Sequence, residues 1–343
     1  MHVLVTGGAG YIGSHVVKQL IEDTNSSVTI LDNLSTGHTA TVDALKKMFD
    51  ENQRTGRKFS FIEAELSDFV KIDEIFADND FDALIHFAAS IVVPESMENP
   101  LKYYMNNTVN TTNVINMCVK YGVGKMIFSS TAAVYGDAKE SPVKETTQTG
   151  PINPYGWSKL MSEQVITDAC TAHEGFDAVI LRYFNVAGAD EQNRIGQSFP
   201  NATHLIKVAA QTAIGQRDKM YLFGEDYETK DGTCERDYIH VDDLASAHLR
   251  ALEYLDKEDK VSPNIFNVGY GHGFSVAEVI DTMKKVSKVD FIVEKGPRRA
   301  GDPAVLISDN SKTKQTLQWN PKFDDITRIC QTALNWEQKL EKI

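Results

Sequence analysis

The stretch "NPYGWSK" (153–159) sets a phenol, Tyr155, four residues before an ammonium, Lys159. On a helix, positions i and i+4 share a face. An ammonium beside a phenol favours phenolate and brings the phenol pKa down from about 10. A tyrosine so tuned exchanges a proton with a hydroxyl near neutral pH. Tyr-x-x-x-Lys pairs are also common on exposed helices with no chemistry attached, so the reading leans on partners. "MIFSSTAAVYGD" (126–137) supplies them: Thr131 falls just past an apolar run, with Ser129 and Ser130 beside it. The carboxyl end of a parallel strand is where ligands of open α/β sheets sit.

A second motif says which ligand. "VLVTGGAGYIGSH" (3–15) follows a strand-like run and opens an amphipathic stretch. Gly7 suits a tight turn, Gly10 close approach of backbone to a pyrophosphate, and Gly13 close packing of the helix. The helix N-terminus then faces the phosphates. Asp32 ends the next apolar run, in "ILDN". A carboxylate there accepts hydrogen bonds from the adenosine ribose and repels a 2′-phosphate, which favours NAD over NADP. The positive nicotinamide ring of NAD⁺ lowers the phenol pKa further, and Lys159 can also donate to the nicotinamide ribose. The plainer alternative is a strand–turn–helix of an α/β protein with no cofactor.

These groups need a scaffold. "HVLVT" (2–6), "SVTILD" (27–32), "KFSFIEA" (58–64), "FDALIHFAA" (81–89), "GKMIFSS" (124–130) and "DAVILRYF" (177–184) read as buried strands, with helix-like segments near 12–24, 68–79, 99–121 and 156–173. Alternation of strands apolar on both faces with helices predicts an α/β fold with a Rossmann-type doubly wound parallel sheet. After Phe184 the rhythm changes to polar, turn-rich sequence, a helix near 204–216, the strand-like "MYLFG", further loops, and a last helix near 324–340. The expected division is an NAD-binding domain over residues 1–184 and a smaller mixed α/β substrate domain over 185–343, rich in loops, with some segments crossing back to the first domain.

Bulk properties narrow the classes. The chain has 343 residues, 42% hydrophobic and 24% charged, an ordinary globular composition, and its net charge of −13 argues against nucleic acid as a partner. The four cysteines, Cys118, Cys170, Cys234 and Cys330, form no CxxC and no metal-ligand spacing, so neither a disulfide framework nor a metal site is expected. No apolar run approaches membrane-spanning length, and "HVLVT" leaves no room for a signal peptide, so the expectation is a cytoplasmic protein without membrane association.

With these motifs in place, the chain resembles the extended short-chain dehydrogenases/reductases and, among them, the UDP-glucose (UDP-galactose) 4-epimerases. The segments that carry the resemblance are "VLVTGGAGYIGSH", "ILDNLSTG", "IHFAA", "SSTAAVYGD", "NPYGWSKLMSEQ", "LRYFNVAGA", "DGTCERDYIHVDDLA" and "RRAGDPA", spread over nearly the whole length. The resemblance implies Tyr155 as acid/base, Lys159 as its electrostatic partner and Thr131 as a hydroxyl bonded to the sugar oxygen. It places NAD along Tyr11, Ile12 and the run Asn33, Leu34, Ser35, Thr36 and Gly37, with Glu65 and Leu66 near the adenine and Phe87, Ala88 and Ala89 along the cofactor. Ser129, Asn106 and Phe184 fall on the nicotinamide side. Asn185, His204, Leu205, Tyr221, Leu222 and Phe223 line a nucleotide-sugar cleft. The chain departs from the pattern at Ile91, where many members carry lysine, and at Asn110, where glycine is frequent.

Arg236 in "CERDYIHV" and Arg299 in "GPRRAGDPA" are loop cations whose guanidinium forks suit a diphosphate. Taken singly, each also fits a surface ion pair with Asp237 or Asp302. With the resemblance, diphosphate ligation is expected, Asp302 orienting Arg299 or meeting the nucleotide ribose. Nucleotide-sugar dehydratases of the superfamily carry Asp-Glu directly after the strand-end threonine, whereas here Ala132 and Ala133 follow Thr131 and cannot move protons. The resemblance therefore implies NAD-dependent 4-epimerisation of a UDP-hexose through a 4-keto sugar. Another NAD-dependent nucleotide-sugar epimerase or dehydrogenase is the alternative, as is a non-enzymatic NAD-binding module, against which the intact Thr131–Tyr155–Lys159 set argues.

Two further expectations follow from the resemblance. The segments 99–121 and 156–173 pair across a two-fold axis in a homodimer, with Val109, Ile115, Leu160 and Val165 recurring along them. Glucose/galactose-restricted relatives carry a tyrosine four residues past the aspartate of "RRxGD"; here that position is Leu306, which leaves room for an acetamido group and extends the expected substrates to UDP-GlcNAc and UDP-GalNAc. The alternative is that Leu306 is a core residue of "AVLIS".

Overall fold

The computed structural model describes residues 1–199, 203–299 and 302–341. Strands β1 (His2–Thr6), β2 (Ser27–Asp32), β3 (Phe59–Glu63), β4 (Ala83–His86), β5 (Lys125–Thr131) and β6 (Asp177–Tyr183) lie where apolar runs predict them. They join one seven-stranded sheet whose order is Asn264–Val268, β6, β5, β4, β1, β2, β3. The β1 strand pairs in parallel with β2 on one side and β4 on the other, β2 with β3, and β4 with β5. The strand order therefore reverses between β1 and β4, and it is at such a switch point that a crevice opens beyond the carboxyl ends. Val3, Leu4 and Val5 are wholly buried, as strands covered on both faces must be.

Helices α1 (Tyr11–Asp23), α2 (Thr39–Glu51) and α3 (Phe69–Ala77) connect the first strands. On one side of the sheet Leu4, Leu84, Met126, Phe128 and Ile180 pack with Ile72 and Phe76 of α3 and with Val114, Cys118 and Ile166 from later helices. The helix Pro154–Ala172 begins with Asn153 as N-cap, its side chain accepting from Gly156 N at 2.8 Å, and Pro154 at the first helical position. Tyr155 is thereby fixed in the first turn. Gly156 lets that turn press on the chain just past β5: a Cβ there would lie 2.8 Å from the Ala133 carbonyl oxygen.

Several elements depart from the sequence expectation. The segment 99–121 is not one helix but Pro100–Tyr103, a π-helical stretch Tyr104–Val109, and Asn110–Tyr121. The cause is local competition for a carbonyl: Asn107 O accepts from Thr111 Oγ1 at 2.5 Å and from Ser162 Oγ at 3.1 Å. Helices Thr39–Glu51, Val241–Leu255 and Val276–Ser287 and the strand Asn264–Val268 went unread, because their boundaries lie in polar, loop-like sequence.

By contacts the chain divides into two units interleaved along the sequence. The first comprises 1–134, 151–182 and 245–266; the second comprises 135–150, 183–244 and 267–343. Within the second unit, Lys219–Phe223 pairs in parallel with Ile292–Gly296, and Glu235–Arg236 pairs antiparallel with Phe274–Ser275 and parallel with Val305–Leu306. The buried Asp237 carboxylate knits this unit, accepting from Tyr270 N at 2.7 Å, Gly271 N at 3.0 Å and Ser308 Oγ at 2.6 Å.

Candidate active site

Tyr155, Lys159 and Thr131 meet within the first unit. Thr131 ends β5 and takes an amide hydrogen bond from Ala133 at 3.1 Å, and its hydroxyl lies beside the Tyr155 phenol, where it favours the phenolate. Lys159 is buried, its ammonium donating to the Ser129 carbonyl at 2.7 Å and lying 4.8 Å from the centre of the Phe128 ring. Burial depresses the Lys159 pKa to about 7, an effect opposed by the Glu163 carboxylate. Burial also raises the Tyr155 pKa above its ordinary value, opposed only by the Thr131 hydrogen bond. This reverses the expected sign for the protein's own groups. Four-residue spacing puts phenol and ammonium on one face, but Lys159 is tethered to the Ser129 carbonyl, and for the phenol desolvation is the larger influence.

The surroundings of this pair were not legible beforehand. His86 is fully buried between Thr6 Oγ1 at 2.6 Å and Thr111 Oγ1 at 2.9 Å, stacked against Phe128, and burial together with the Lys159 charge lowers its pKa to about 3. Asn107 is a buried brace: it accepts from Ser90 N at 2.8 Å and donates to Ser90 O at 2.9 Å and Ser158 Oγ at 3.0 Å. Asn106 is half-buried and donates to Ser90 Oγ at 3.1 Å. The ring of Tyr103 meets that of Tyr155 edge-on at 6.4 Å, its hydroxyl held by Val92 O and Glu95. Ile91 is exposed, and Asn110 is buried with its amide on Asn106 Oδ1 at 3.3 Å. The sequence signal for Asn107 is its place beside Asn106 in "MNNTVN".

The glycine turn fits a dinucleotide. Gly7 has φ +72°, and a Cβ there would lie 2.7 Å from Ala88 N, so the turn closes directly on the residues past β4. Helix α1 starts at Tyr11 and Ile12 from Gly10 with no side chain capping it, an end that suits a pyrophosphate; Gly13 packs against Gly7 and Gly8. Asp32 accepts from Ala9 N at 3.0 Å and from Leu34 N at 2.8 Å, bracing the turn against the loop that follows β2. In that loop Leu34 adopts φ +58°, Asn33 accepts from Ser35 N at 3.0 Å and donates to Glu65 at 2.8 Å, Ser35 and Thr36 are exposed, and Gly37 is buried against Ala9 and Asp32. Strained backbone at a loop tip of this kind is what binding sites retain. Glu65 is exposed and Leu66 buried; Phe87, Ala88, Ala89 and Ser129 are half-buried at the carboxyl ends of β4 and β5.

In the second unit the arginines differ from expectation. Asp302 orients Arg236, not Arg299: Arg236 Nη2 donates to its carboxylate at 2.8 Å and Nη1 to Glu235 O at 2.8 Å, while Arg236 is 8% exposed. Arg299 is exposed and lies over the Phe223 ring at 4.0 Å. Tyr221 and Phe223 share one face of their strand and Leu222 is buried on the other, so the run Tyr221–Phe223 does not present three side chains to one side. His204 is exposed, bonded to Gln197 at 2.9 Å, just before the helix that starts at Leu205. Phe184 is buried; Asn185 is half-buried, its backbone N–H donating to Asp237 O at 2.9 Å. Leu306 is half-buried in register with Arg236. Ala300 and Gly301 of the "RRAGDPA" segment lie outside the described residues.

A parallel sheet with a glycine turn after β1, and a Tyr–Lys pair beside the end of β5, defines the Rossmann-type short-chain dehydrogenase/reductase class. The chain belongs to the NAD dependent epimerase/dehydratase family, whose model matches residues 3–269. It is 46% identical to a UDP-glucose 4-epimerase of Azospirillum brasilense over 99% of this chain and 93% of that protein. Among solved structures it is similar to the UDP-Glc/GlcNAc 4-epimerase of Campylobacter jejuni, with 56% identity, TM-score 0.85 and coverage of 98% of this chain and 99% of that one. It is likewise similar to a Bifidobacterium longum UDP-glucose 4-epimerase in complex with NAD⁺ and UDP, with 36% identity, TM-score 0.91 and coverage of 99% and 98%.

Proposed function

We propose that this chain is a UDP-hexose 4-epimerase that interconverts the C4 epimers through a 4-keto sugar. The observation that carries the reading is the Thr131–Tyr155–Lys159 constellation followed by Ala132 and Ala133: one proton-transfer site, and no second acid/base pair for dehydration. NAD is held by the turn Gly7–Gly13, Asp32 and the loop after it, Glu65 and Leu66, and the residues past β4. When bound, it accepts and returns a hydride at sugar C4. Tyr155 Oη takes the proton of the 4-hydroxyl and returns it to the same oxygen once the 4-keto sugar has turned its other face to the cofactor. Thr131 Oγ1 holds that oxygen in line with the phenol, and Lys159 supplies positive charge behind it. The first unit serves as the cofactor half and the second as the UDP-sugar half, with Arg236, oriented by Asp302, and Arg299 on the diphosphate. Similarity to named UDP-glucose 4-epimerases over the whole length supports the substrate class.

Substrate range extends to N-acetylated hexoses. Leu306, half-buried beside Arg236, lacks the phenol of the restricted relatives, and the C. jejuni relative is named for both UDP-Glc and GlcNAc. Discrimination at such a wall runs to a few kcal/mol at most, enough to change specificity by about one to two orders of magnitude. The test is parallel turnover of UDP-glucose, UDP-galactose, UDP-GlcNAc and UDP-GalNAc by wild type and Leu306→Tyr. All four should react in wild type, and the variant should lose the acetylated pair. Net NADH release on any of them would point to a dehydrogenase instead.

The protein works as a cytoplasmic homodimer in galactose metabolism. Supporting the dimer, Leu101, Met105 and Val109 recur every four residues with exposed side chains, as do Trp157 and Met161 on the neighbouring helix. The two stretches pack through Thr108 Oγ1 on Ser158 O at 3.0 Å. Of the apolar residues first expected at the interface, Ile115 is instead buried in the chain's own core and Val165 packs against it. Among the described residues, no helix is long and apolar enough to cross a membrane.

A further inference from the structure

One buried carboxylate beside the reaction centre takes no part in the chemistry above. Glu163 stands one helical turn beyond Lys159 on the helix Pro154–Ala172, and it is 3% exposed. Its carboxylate accepts from Arg182 Nε at 3.0 Å and Arg182 Nη2 at 2.6 Å, a bidentate pair reaching from β6, and from the hydroxyl of Ser130 in β5. Ser130 sits between Ser129, whose carbonyl holds the Lys159 ammonium, and Thr131, whose hydroxyl lies beside the Tyr155 phenol. One carboxylate thus ties the strand end to the helix that carries the acid/base pair.

We infer that Glu163 is a positioning residue for proton transfer: clamped by Arg182 and Ser130, it fixes the register of Ser129–Thr131 against Tyr155 and Lys159 and supplies the counter-charge that keeps the Lys159 ammonium protonated. The inference rests on Tyr155 and Lys159 being the acid/base pair. A buried ammonium with no anion nearby gives up its proton readily. The other groups around Lys159 do not replace Glu163: Phe128 of β5 contributes a ring face, His86 of β4 is neutral, burial disfavours the phenolate of Tyr155, and Arg182 of β6 is itself a cation. Ordinary ion pairing of Glu163 with Arg182 would by itself explain burial. It does not require the carboxylate to share Ser130 with the strand end, nor to sit four residues from the lysine.

The experiment is the pH dependence of kcat/KM for UDP-galactose in wild type, Glu163→Gln and Glu163→Asp. The alkaline limb reports loss of the Lys159 proton. It should move about one pH unit lower in Glu163→Gln, since removal of a charge within one helical turn shifts a pKa by about that much, and Glu163→Asp should restore it. If Glu163→Gln does not fold because Arg182 is left unpaired, the double variant Glu163→Gln/Arg182→Gln is read against Arg182→Gln alone, from which its alkaline limb should be displaced to lower pH. A Glu163→Gln profile that superimposes on wild type, or a double-variant profile that superimposes on Arg182→Gln, overturns the inference, as does a Glu163→Asp profile displaced as far as that of Glu163→Gln. Tyr155→Phe is measured alongside. An inactive Tyr155→Phe with unmoved Glu163 profiles defeats the positioning role alone, whereas an active one defeats the acid/base assignment and the inference with it.

Discussion

The ammonium of Lys159 is bonded to the backbone carbonyl of Ser129 at 2.7 Å, so the cation belongs to the strand end as much as to its own helix. That tether decides the electrostatics of the site. It holds the positive charge behind Thr131 and Tyr155 at a fixed distance, and it leaves burial as the dominant influence on both the phenol and the ammonium. A protonated phenol beside the Thr131 hydroxyl is an acid waiting for a nearby positive charge to make it a base.

Tyr155→Phe removes the only atom in that constellation able to carry the 4-hydroxyl proton. Turnover should fall on the order of 100-fold or more, with thermal stability and NAD binding retained, since the half-buried Tyr155 ring stays and only its hydroxyl is lost. Steady-state kinetics with calorimetry of NAD binding checks both halves.

His86 gives the fold an acid-labile point. Its folded pKa of about 3 lies below the unfolded value near 6.5, so the unfolded chain binds the extra proton between those values. Stability attributable to this group is complete above pH 6.5 and is lost as pH falls toward 3, with a slope approaching about 1.4 kcal/mol per pH unit. Chemical denaturation of wild type and His86→Gln between pH 4 and pH 7 should show a shallower slope in the variant. Parallel slopes would mean that other groups govern acid unfolding.

Arg236 and Asp302 should act as one unit in substrate binding. Arg236→Lys keeps the charge but loses the planar fork that Asp302 orients, and UDP affinity should drop about tenfold or more. Asp302→Asn should weaken UDP binding less, because Glu235 O still holds the guanidinium. Isothermal titration with UDP orders the two variants. If Asp302→Asn is the more damaging, the carboxylate itself meets the ligand.

Leu101→Glu and Met105→Glu place charges on the exposed apolar face of the Pro100–Val109 stretch without entering the core. In light scattering each should shift a dimeric wild type toward monomer while the circular dichroism spectrum is kept, since an unpaired charge in an apolar interface costs several kcal/mol. A wild type that is already monomeric at micromolar concentration defeats the dimer.

What the sequence by itself determined is local in origin. The six strands β1–β6 follow from apolar runs, the dinucleotide turn from Gly7, Gly10, Gly13 and Asp32, and the shared face of Tyr155 and Lys159 from helical periodicity capped by Asn153 and Pro154. Each depends on spacing within a few residues, where backbone geometry leaves little choice. The tertiary structure decided everything that rests on meetings between distant segments: Arg236 with Asp302 rather than Arg299 with it, Glu163 with Arg182 and Ser130, Asn107 against Ser90 and Ser158, and a seventh sheet strand drawn from 264–268. It also decided the sign of the Tyr155 shift. Spacing shows which charges are near a group, but desolvation depends on everything packed around it, and at this site burial raises the phenol pKa.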